Sequence, residues 1–214
     1  MTFKKPHLAA VLTFAACPFP SSGSQRAWAQ SGASRLVPGR SLGRISLGFT
    51  PAQVRKALGK PDKTMRLRNG LLDDIYLAKK TRMRDGQPVR DKIEVLYRNG
   101  KVVQIEATSP AFETGNGLST SSPVRQLTRE GLKWRVLVYG YDHPESGWQN
   151  YYLVDQKKGL TIEFEGWQEQ LFRRSIPTTI IVHRAGSRPI PDVGGKLVTD
   201  SLDLSVVMDG NDTD

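Results

Sequence analysis

The sequence predicts an α+β fold, in which a short helix packs on an antiparallel sheet of three to four strands and this unit is duplicated in tandem. Two local patterns predict the unit: a short amphipathic stretch with a capping residue at each end, at 50–59, and two alternating runs around an Asn-Gly turn, at 91–107. Similar patterns recur about 70 residues later, which predicts the duplication.

The helix is predicted from the residues at its ends. Thr50 suits the N-cap, Pro51 the first helical position, and Gln53 completes a capping box. Gly59 and Pro61 end the helix. Its apolar stripe consists of Val54, Ala57 and Leu58. Because helices shorter than about 12 residues are marginal in water, we expect this stripe to lie on a sheet.

The strands of the first unit (residues 45–115) follow the helix. In "DKIEVLYRNGKVVQIEA" (91–107), Asn99 and Gly100 predict a hairpin turn between two alternating runs. The run "DDIYLAKK" (73–80) predicts a third strand. One apolar face of this sheet would be covered by the helix.

The second unit is predicted at 116–185. Ser122 and Pro123 resemble a helix start, and three strand-like runs follow: "KWRVLVYGY", "WQNYYLVD" and "GLTIEFE". A closing strand is expected in "SIPTTIIVHR" (175–184). Residues 30–44 are predicted to be a linker. Residues 186–214 are an acidic tail, either disordered or forming an edge strand around "KLVTDSLDLSVV".

Residues 1–29 are predicted to be an export signal. Two lysines in "MTFKK" precede the apolar run "LAAVLTFAAC", and small residues follow. Ala27 and Ala29 predict cleavage before Gln30; lipid attachment at Cys17 is the alternative and would hold the protein on a membrane. We therefore expect an exported protein of the periplasm or cell envelope. Cys17 is the single cysteine, so no internal disulfide or thiolate metal site is expected.

The charge of the chain favours anionic partners. The formal net charge is +10, and removing residues 1–29, which hold Lys4, Lys5 and Arg26 and no acids, leaves +7. The tail carries −4, so residues 30–185 carry +11. Phospholipid headgroups, acidic glycans or an acidic protein face fit such a body, and solvated basic loops that bind no partner are the alternative. An exported protein is not expected to bind nucleic acid, and the oligomeric state stays open.

The helix and hairpin together resemble the SmpA/OmlA domain, the family of the outer-membrane assembly factor BamE. The family pattern I-x-x-G-M-T, x-x-Q-V, L-G-x-P is met at eight positions: Ile45, Gly48, Thr50, Gln53, Val54, Leu58, Gly59 and Pro61. The aromatic strand "DIYL" and the hairpin "LYRNGKVVQIEA" follow in the expected order. Phe49 stands where the family has methionine, and the match covers residues 45–109.

This resemblance implies an α+β fold similar to that of β-lactamase inhibitor proteins. It also implies an envelope scaffold or assembly role without catalysis, in which a sheet face binds another protein. No cofactor is implied. The candidate protein-binding residues are taken from the aromatic region 133–153, because tyrosine, tryptophan and arginine are frequent anchors of interfaces. They are Arg135, Tyr139, Tyr141, Trp148 and Tyr151.

Two alternative functions remain open. The basic run "KKTRMR" suggests a module that binds anionic lipid or glycan through Lys79, Lys80, Arg82 and Arg84. The loop "YDHPESG" suggests an envelope hydrolase that uses His143 with Asp142 or Glu145. No motif of a serine hydrolase, zinc protease or phosphate-binding loop occurs in the sequence, and we expect no metal site. His183, in "IIVHR", is predicted to be structural.

Overall fold

The computed structural model of the chain describes residues 35–67, 70–84, 86–127, 134–140, 148–167, 176–191 and 196–202. The predicted export signal with Cys17, residues 141–147 with His143, and the end of the acidic tail lie outside these residues. The described elements, in chain order, are β1 (Leu36–Val37), β2 (Ser41–Leu42), β3 (Ile45–Ser46), α1 (Pro51–Leu58), β4 (Lys63–Arg66), β5 (Leu72–Arg84), β6 (Gln87–Arg98), β7 (Lys101–Ala107), α2 (Val124–Leu127), β8 (Arg135–Gly140), β9 (Trp148–Asp155), β10 (Leu160–Trp167), β11 (Thr179–His183) and β12 (Lys196–Leu202).

The described strands form two antiparallel sheets. Strands β1 to β3 make a small three-stranded sheet, and the other nine make one large sheet in the order β12-β8-β9-β10-β11-β7-β6-β5-β4. In the large sheet, β11 pairs with β10 on one side and with β7 on the other. The meander β4–β7 and the strands β8–β11 are therefore joined edge to edge.

The predicted fold class is wrong. We expected a short helix on a three- to four-stranded sheet, repeated as a second such unit, whereas the described residues form mainly strands in one continuous nine-stranded sheet. The helices are only 8 and 4 residues long. The pairing of β7 with β11 makes the difference, because it joins two sets of strands that the sequence predicts as separate sheets.

Helix α1 lies over the main core, as its sequence pattern predicts. Its capping box is formed in both directions, since the Thr50 amide donates to Gln53 Oε1 at 2.8 Å and the Gln53 amide donates to Thr50 Oγ1 at 3.3 Å. Val54 is fully buried in one cluster with Ile93 and Ile105. This packing supplies the apolar contacts that a two-turn helix needs.

Residues 30–44 were expected to be a linker, and their described part is not. Leu36 of β1 and Leu42 of β2 belong to the main core and are buried. The Leu36 amide also donates to the Glu113 carbonyl at 2.7 Å. The small sheet β1–β3 therefore packs against the large one. Glycines at its turn positions let the chain fold back sharply between these short strands.

The large sheet buries apolar side chains on both faces. In β8, Val136 and Val138 join the main core, while Leu137 and Tyr139 point to the opposite face. A second cluster on that opposite face consists of Leu137, Tyr139, Tyr152, Val154 and Ile181. This half of the sheet thus has no fully polar, water-facing side.

Strand β5 is longer than predicted. We expected a strand at 73–80, but it continues to Arg84 and pairs with β6 as far as Gln87. The pairing is irregular between Leu77 and Thr81. Strand β7 pairs with β6 only from Ile93 onward. Residues 81–84 of β5 and residues 87–90 of β6 therefore pair with each other and with no other described strand. We call residues 79–84 and 87–90 the hairpin arm.

Candidate functional site

The predicted protein-binding residues do not form one surface. Tyr151 lies in the main core, whereas Tyr139 lies in the cluster on the opposite face, and both are buried. Arg135 is exposed at the start of β8. Trp148 begins β9, and Tyr141 lies outside the described residues. Neither described tyrosine is therefore available as an exposed anchor.

A buried polar group accompanies the second apolar cluster. Glu163 Oε1 accepts hydrogen bonds from Asn150 Nδ2 at 2.7 Å and from the Tyr152 hydroxyl at 2.8 Å. Burial, and then the neighbouring Glu163 carboxylate, raise the pKa of Tyr152. Tyr139 meets Tyr152 edge to face, with ring centroids 5.2 Å apart. This arrangement stabilises the packing and gives a substrate no access, because Asn150, Tyr152 and Glu163 are all buried.

His183 is buried, and its ring is hydrogen-bonded to neighbouring protein groups, as expected for a residue within a strand. Its Nδ1 lies 3.2 Å from the Arg184 carbonyl, which can only accept, so Nδ1 carries the proton. Nε2 then accepts from the Thr161 hydroxyl at 2.9 Å. Burial lowers the pKa of His183 and keeps the ring neutral.

The predicted basic run lies in the hairpin arm, where its members have different roles. Arg82 Nε donates to Asp91 at 2.8 Å, and Arg84 Nη2 donates to the Pro177 carbonyl at 3.1 Å. These two side chains are partly buried and hold the arm to the rest of the chain. Lys79 and Lys80 are exposed. The four residues thus do not act as one exposed patch.

Exposed charge in the described part of the chain is almost entirely basic. Among side chains that the structure describes there, the exposed acids are Asp62 and Glu113. Exposed lysines and arginines are found on several turns. Four acids are instead buried: Asp73, Asp74, Asp155 and Glu163.

Many of these bases meet at one end of the large sheet, which we call the basic rim. Strand pairing brings their turns together. Arg98 pairs with Lys101 across the β6–β7 turn. The end of β11 lies beside both the start of β7 and the β9–β10 turn. The exposed residues of the basic rim are Arg40, Arg66, Arg98, Lys101, Lys157, Lys158, Arg184 and Arg188.

Three loops of the rim are in direct contact. The Gly39 amide donates to the Gly159 carbonyl at 3.1 Å, and a Cβ on Gly39 would lie 3.4 Å from the Ala185 Cβ. The Gly186 amide donates to the Gln156 carbonyl at 2.8 Å. Each of these loops carries exposed bases next to its contact point, and we call Arg40, Lys157, Lys158, Arg184 and Arg188 the three-loop cluster.

The basic rim was not predicted from the sequence, because its bases are spread over several turns that are far apart in the chain. A weak signal is present: bases stand beside turn glycines in "GRSLGR", "RNGK", "QKKG" and "RAGSR". Each pattern alone is typical of an exposed turn. Only the strand order shows that the turns share one end of the sheet.

The described residues hold no group of three or more His, Cys, Asp or Glu side chains placed to bind a metal ion. None of the helices in the described ranges is long and apolar enough to cross a bilayer.

Comparison with known proteins gives no family. No protein family and no curated protein matches the chain. Among solved structures, the chain is similar to the uncharacterized protein YfeY from Escherichia coli, with a TM-score of 0.37 and 11% identity, covering 69% of this chain and 99% of that one. It is also similar to a cysteine-rich secretory protein from Staphylococcus aureus, with a TM-score of 0.38 and 10% identity, covering 77% of this chain and 57% of that one. Neither likeness is close enough to support a function.

Proposed function

We propose that the protein is a non-catalytic binding module of the bacterial cell envelope, which attaches to an anionic component by electrostatic attraction. The excess of basic over acidic exposed side chains carries this proposal. Because most described acids are buried or partly buried, they do little to offset the positive potential outside the protein. A basic end of the sheet concentrates that potential in one place.

The test is binding to anionic and neutral targets at a salt concentration of about 0.15 M, where weak surface attraction is screened beyond roughly 8 Å. We expect the protein to bind a soluble polyanion or vesicles containing phosphatidylglycerol, and not a neutral dextran or pure phosphatidylcholine vesicles. Binding should weaken steeply as salt is added. Equal binding to charged and neutral targets, or no binding to any of them, contradicts the proposal.

The envelope location rests on the predicted export signal and on the resemblance to the SmpA/OmlA family, both of which stay predictions. The intact mass of the exported protein tests the location directly. A mass that begins at Gln30 corresponds to a freely exported protein, and a lipid-modified Cys17 to an anchored one. A mass that retains residues 1–29 contradicts export.

A protein partner is the second candidate. A sheet face is not favoured as its docking site, because apolar side chains are buried on both faces of β8–β11. Exposed apolar residues at the end opposite the basic rim favour a partner there: Met83 of the hairpin arm is 66% exposed and Ile176 is 52% exposed. The test is photo-crosslinking in cells from position 83, with position 101 of the rim as the control. A protein crosslinked from position 83 and not from position 101 would support a protein contact at this end.

The hydrolase alternative predicts that His143 is essential. Under the binding proposal, His143→Ala leaves polyanion binding and the folded state unchanged. Hydrolysis of an envelope glycan by the native chain, lost in His143→Ala, would favour the enzyme instead.

A further inference from the structure

The basic rim is a row and not a compact pocket. Its turns follow the strand order from β9–β10, past the end of β11, to β6–β7 and β4–β5. Seven strands separated by about 4.8 Å give this row a length of roughly 30 Å. Its side chains are exposed, so the row lacks the buried polar groups that would enclose a single small anion.

The row is rigid where its charge is densest. At the three-loop cluster, the Gly159 carbonyl accepts from the amides of both Gly39 and His183. The chain after β11 is also held further on, since Gln104 exchanges two hydrogen bonds with Ile190, at 2.7 and 2.8 Å. The bases of this cluster are therefore carried by loops that are fixed before a ligand arrives, which lowers the entropy lost on binding.

We propose that the basic rim binds a linear acidic glycan, which lies along the row of turns from the three-loop cluster, past the β6–β7 turn, to the β4–β5 turn. The proposal rests on the proposed function and names the partner of the same surface. A flexible chain with one carboxylate or sulfate per sugar can follow the row and contact its bases one after another. Binding then increases with chain length, because each further contact releases counterions from the polyanion.

The shape of the sheet favours a chain over a membrane plane. Neighbouring strands twist by about 20° each, so the ends of seven strands do not lie in one plane. A flat bilayer would touch only part of the row, whereas a flexible polymer can follow all of it. The opposite end of the sheet provides a control surface. Lys79 and Lys80 lie seven and eight residues along β5 from Leu72, the first residue of β5 at the rim, which places them roughly 25 Å from the rim.

The experiment measures the binding of polygalacturonate fragments of defined length to the full chain and to three variants. Lys157→Gln/Lys158→Gln and Arg98→Gln/Lys101→Gln each remove two charges from different parts of the row. Lys79→Gln/Lys80→Gln removes two charges from the opposite end and is the matched control. All six side chains are exposed, and thermal unfolding checks that the variants fold.

We expect affinity to rise with fragment length until the fragment approaches roughly 30 Å. Each rim variant should weaken binding of long fragments by about 10-fold and lower the salt dependence, whereas the control changes affinity by less than about 2-fold. Affinity that does not depend on length, or equal losses in rim and control variants, overturns the proposal.

Vesicles containing phosphatidylglycerol separate this inference from the proposed function. Binding to the vesicles without binding to polygalacturonate overturns the glycan as partner and leaves the anionic binding module in place. Binding to neither contradicts both.

Discussion

Gly159, in the three-loop contact, has almost no space for a side chain. A Cβ there would lie 2.2 Å from the His183 carbonyl oxygen and 2.8 Å from both the Ala185 nitrogen and the Gly39 Cα, and its φ is +71°. We expect Gly159→Ala to lower the free energy of unfolding by more than about 3 kcal/mol, because three backbone segments would have to separate. Urea denaturation measures this.

Gly100 provides the matched control for that substitution. It has a similar φ of +70°, but a Cβ there meets nothing within 4 Å. Gly100→Ala should therefore cost only the strain of the left-handed backbone, about 1 kcal/mol. Equal losses in the two variants would mean that the contact among the three loops does not constrain the fold.

His183 predicts how stability depends on pH. Burial lowers the pKa of its imidazole in the folded state. Below the unfolded pKa of about 6.5, the imidazole takes up a proton in the unfolded chain but not in the folded chain. The contribution of His183 to the free energy of unfolding is therefore fully present above pH 6.5. It decreases as the pH falls towards the folded pKa. We expect a loss of at most about 1 kcal/mol between pH 6.5 and 5.5, measured by denaturant unfolding.

His183→Gln should remove this part of the pH dependence while keeping a polar partner for Thr161. If the stability of His183→Gln depends on pH as steeply as that of the native chain, other titrating groups cause the dependence.

At the scale of elements, helix α1 depends on its N-terminal cap. Thr50→Ala removes the hydroxyl that accepts from the Gln53 amide. The expected cost is about 1 kcal/mol of unfolding free energy. Thr50→Ser keeps the acceptor and should stay within about 0.5 kcal/mol of the native chain. Thermal or urea unfolding of both variants decides between a cap that stabilises the fold and one that is neutral.

Helix α1 and the β6–β7 hairpin were predictable because their signals are local. The capping box, Gly59 and the Asn99-Gly100 turn each act within a few residues, and Asn99 does adopt a positive φ of 51°. The extension of β5 to Arg84 was not predicted, since a run of bases with one methionine has no apolar alternation. Its partner strand β6 determines where it ends.

The pairing of β7 with β11 had no signal in the sequence. Gln104 lies opposite His183, yet both runs look like ordinary buried strands, and their residues could pair with several neighbours. This one pairing changes two small sheets into one large one. It also brings the β6–β7 turn beside the three-loop cluster, so the basic rim could not be predicted without it.

The charge distribution of the whole molecule yields the last prediction. Residues 203–214 contain four aspartates, and the body of the chain is strongly basic. A like-charged segment competes with an acidic ligand through the potential around the protein, whatever its conformation. We expect truncation after Leu202 to raise the affinity for polygalacturonate by about 5-fold at roughly 0.05 M salt and to have little effect at roughly 0.5 M.

The matched control separates charge from chain length. Replacing the four aspartates, at 203, 209, 212 and 214, with asparagine keeps all twelve residues and removes only their charge. If electrostatics governs binding, this variant gains as much affinity as the truncated chain, because the polyanion responds to net potential and not to the bulk of the segment. A gain on truncation alone would instead indicate that the segment blocks the ligand sterically. No gain in either variant would mean that the ligand responds to charges close to the rim and not to the net charge of the protein.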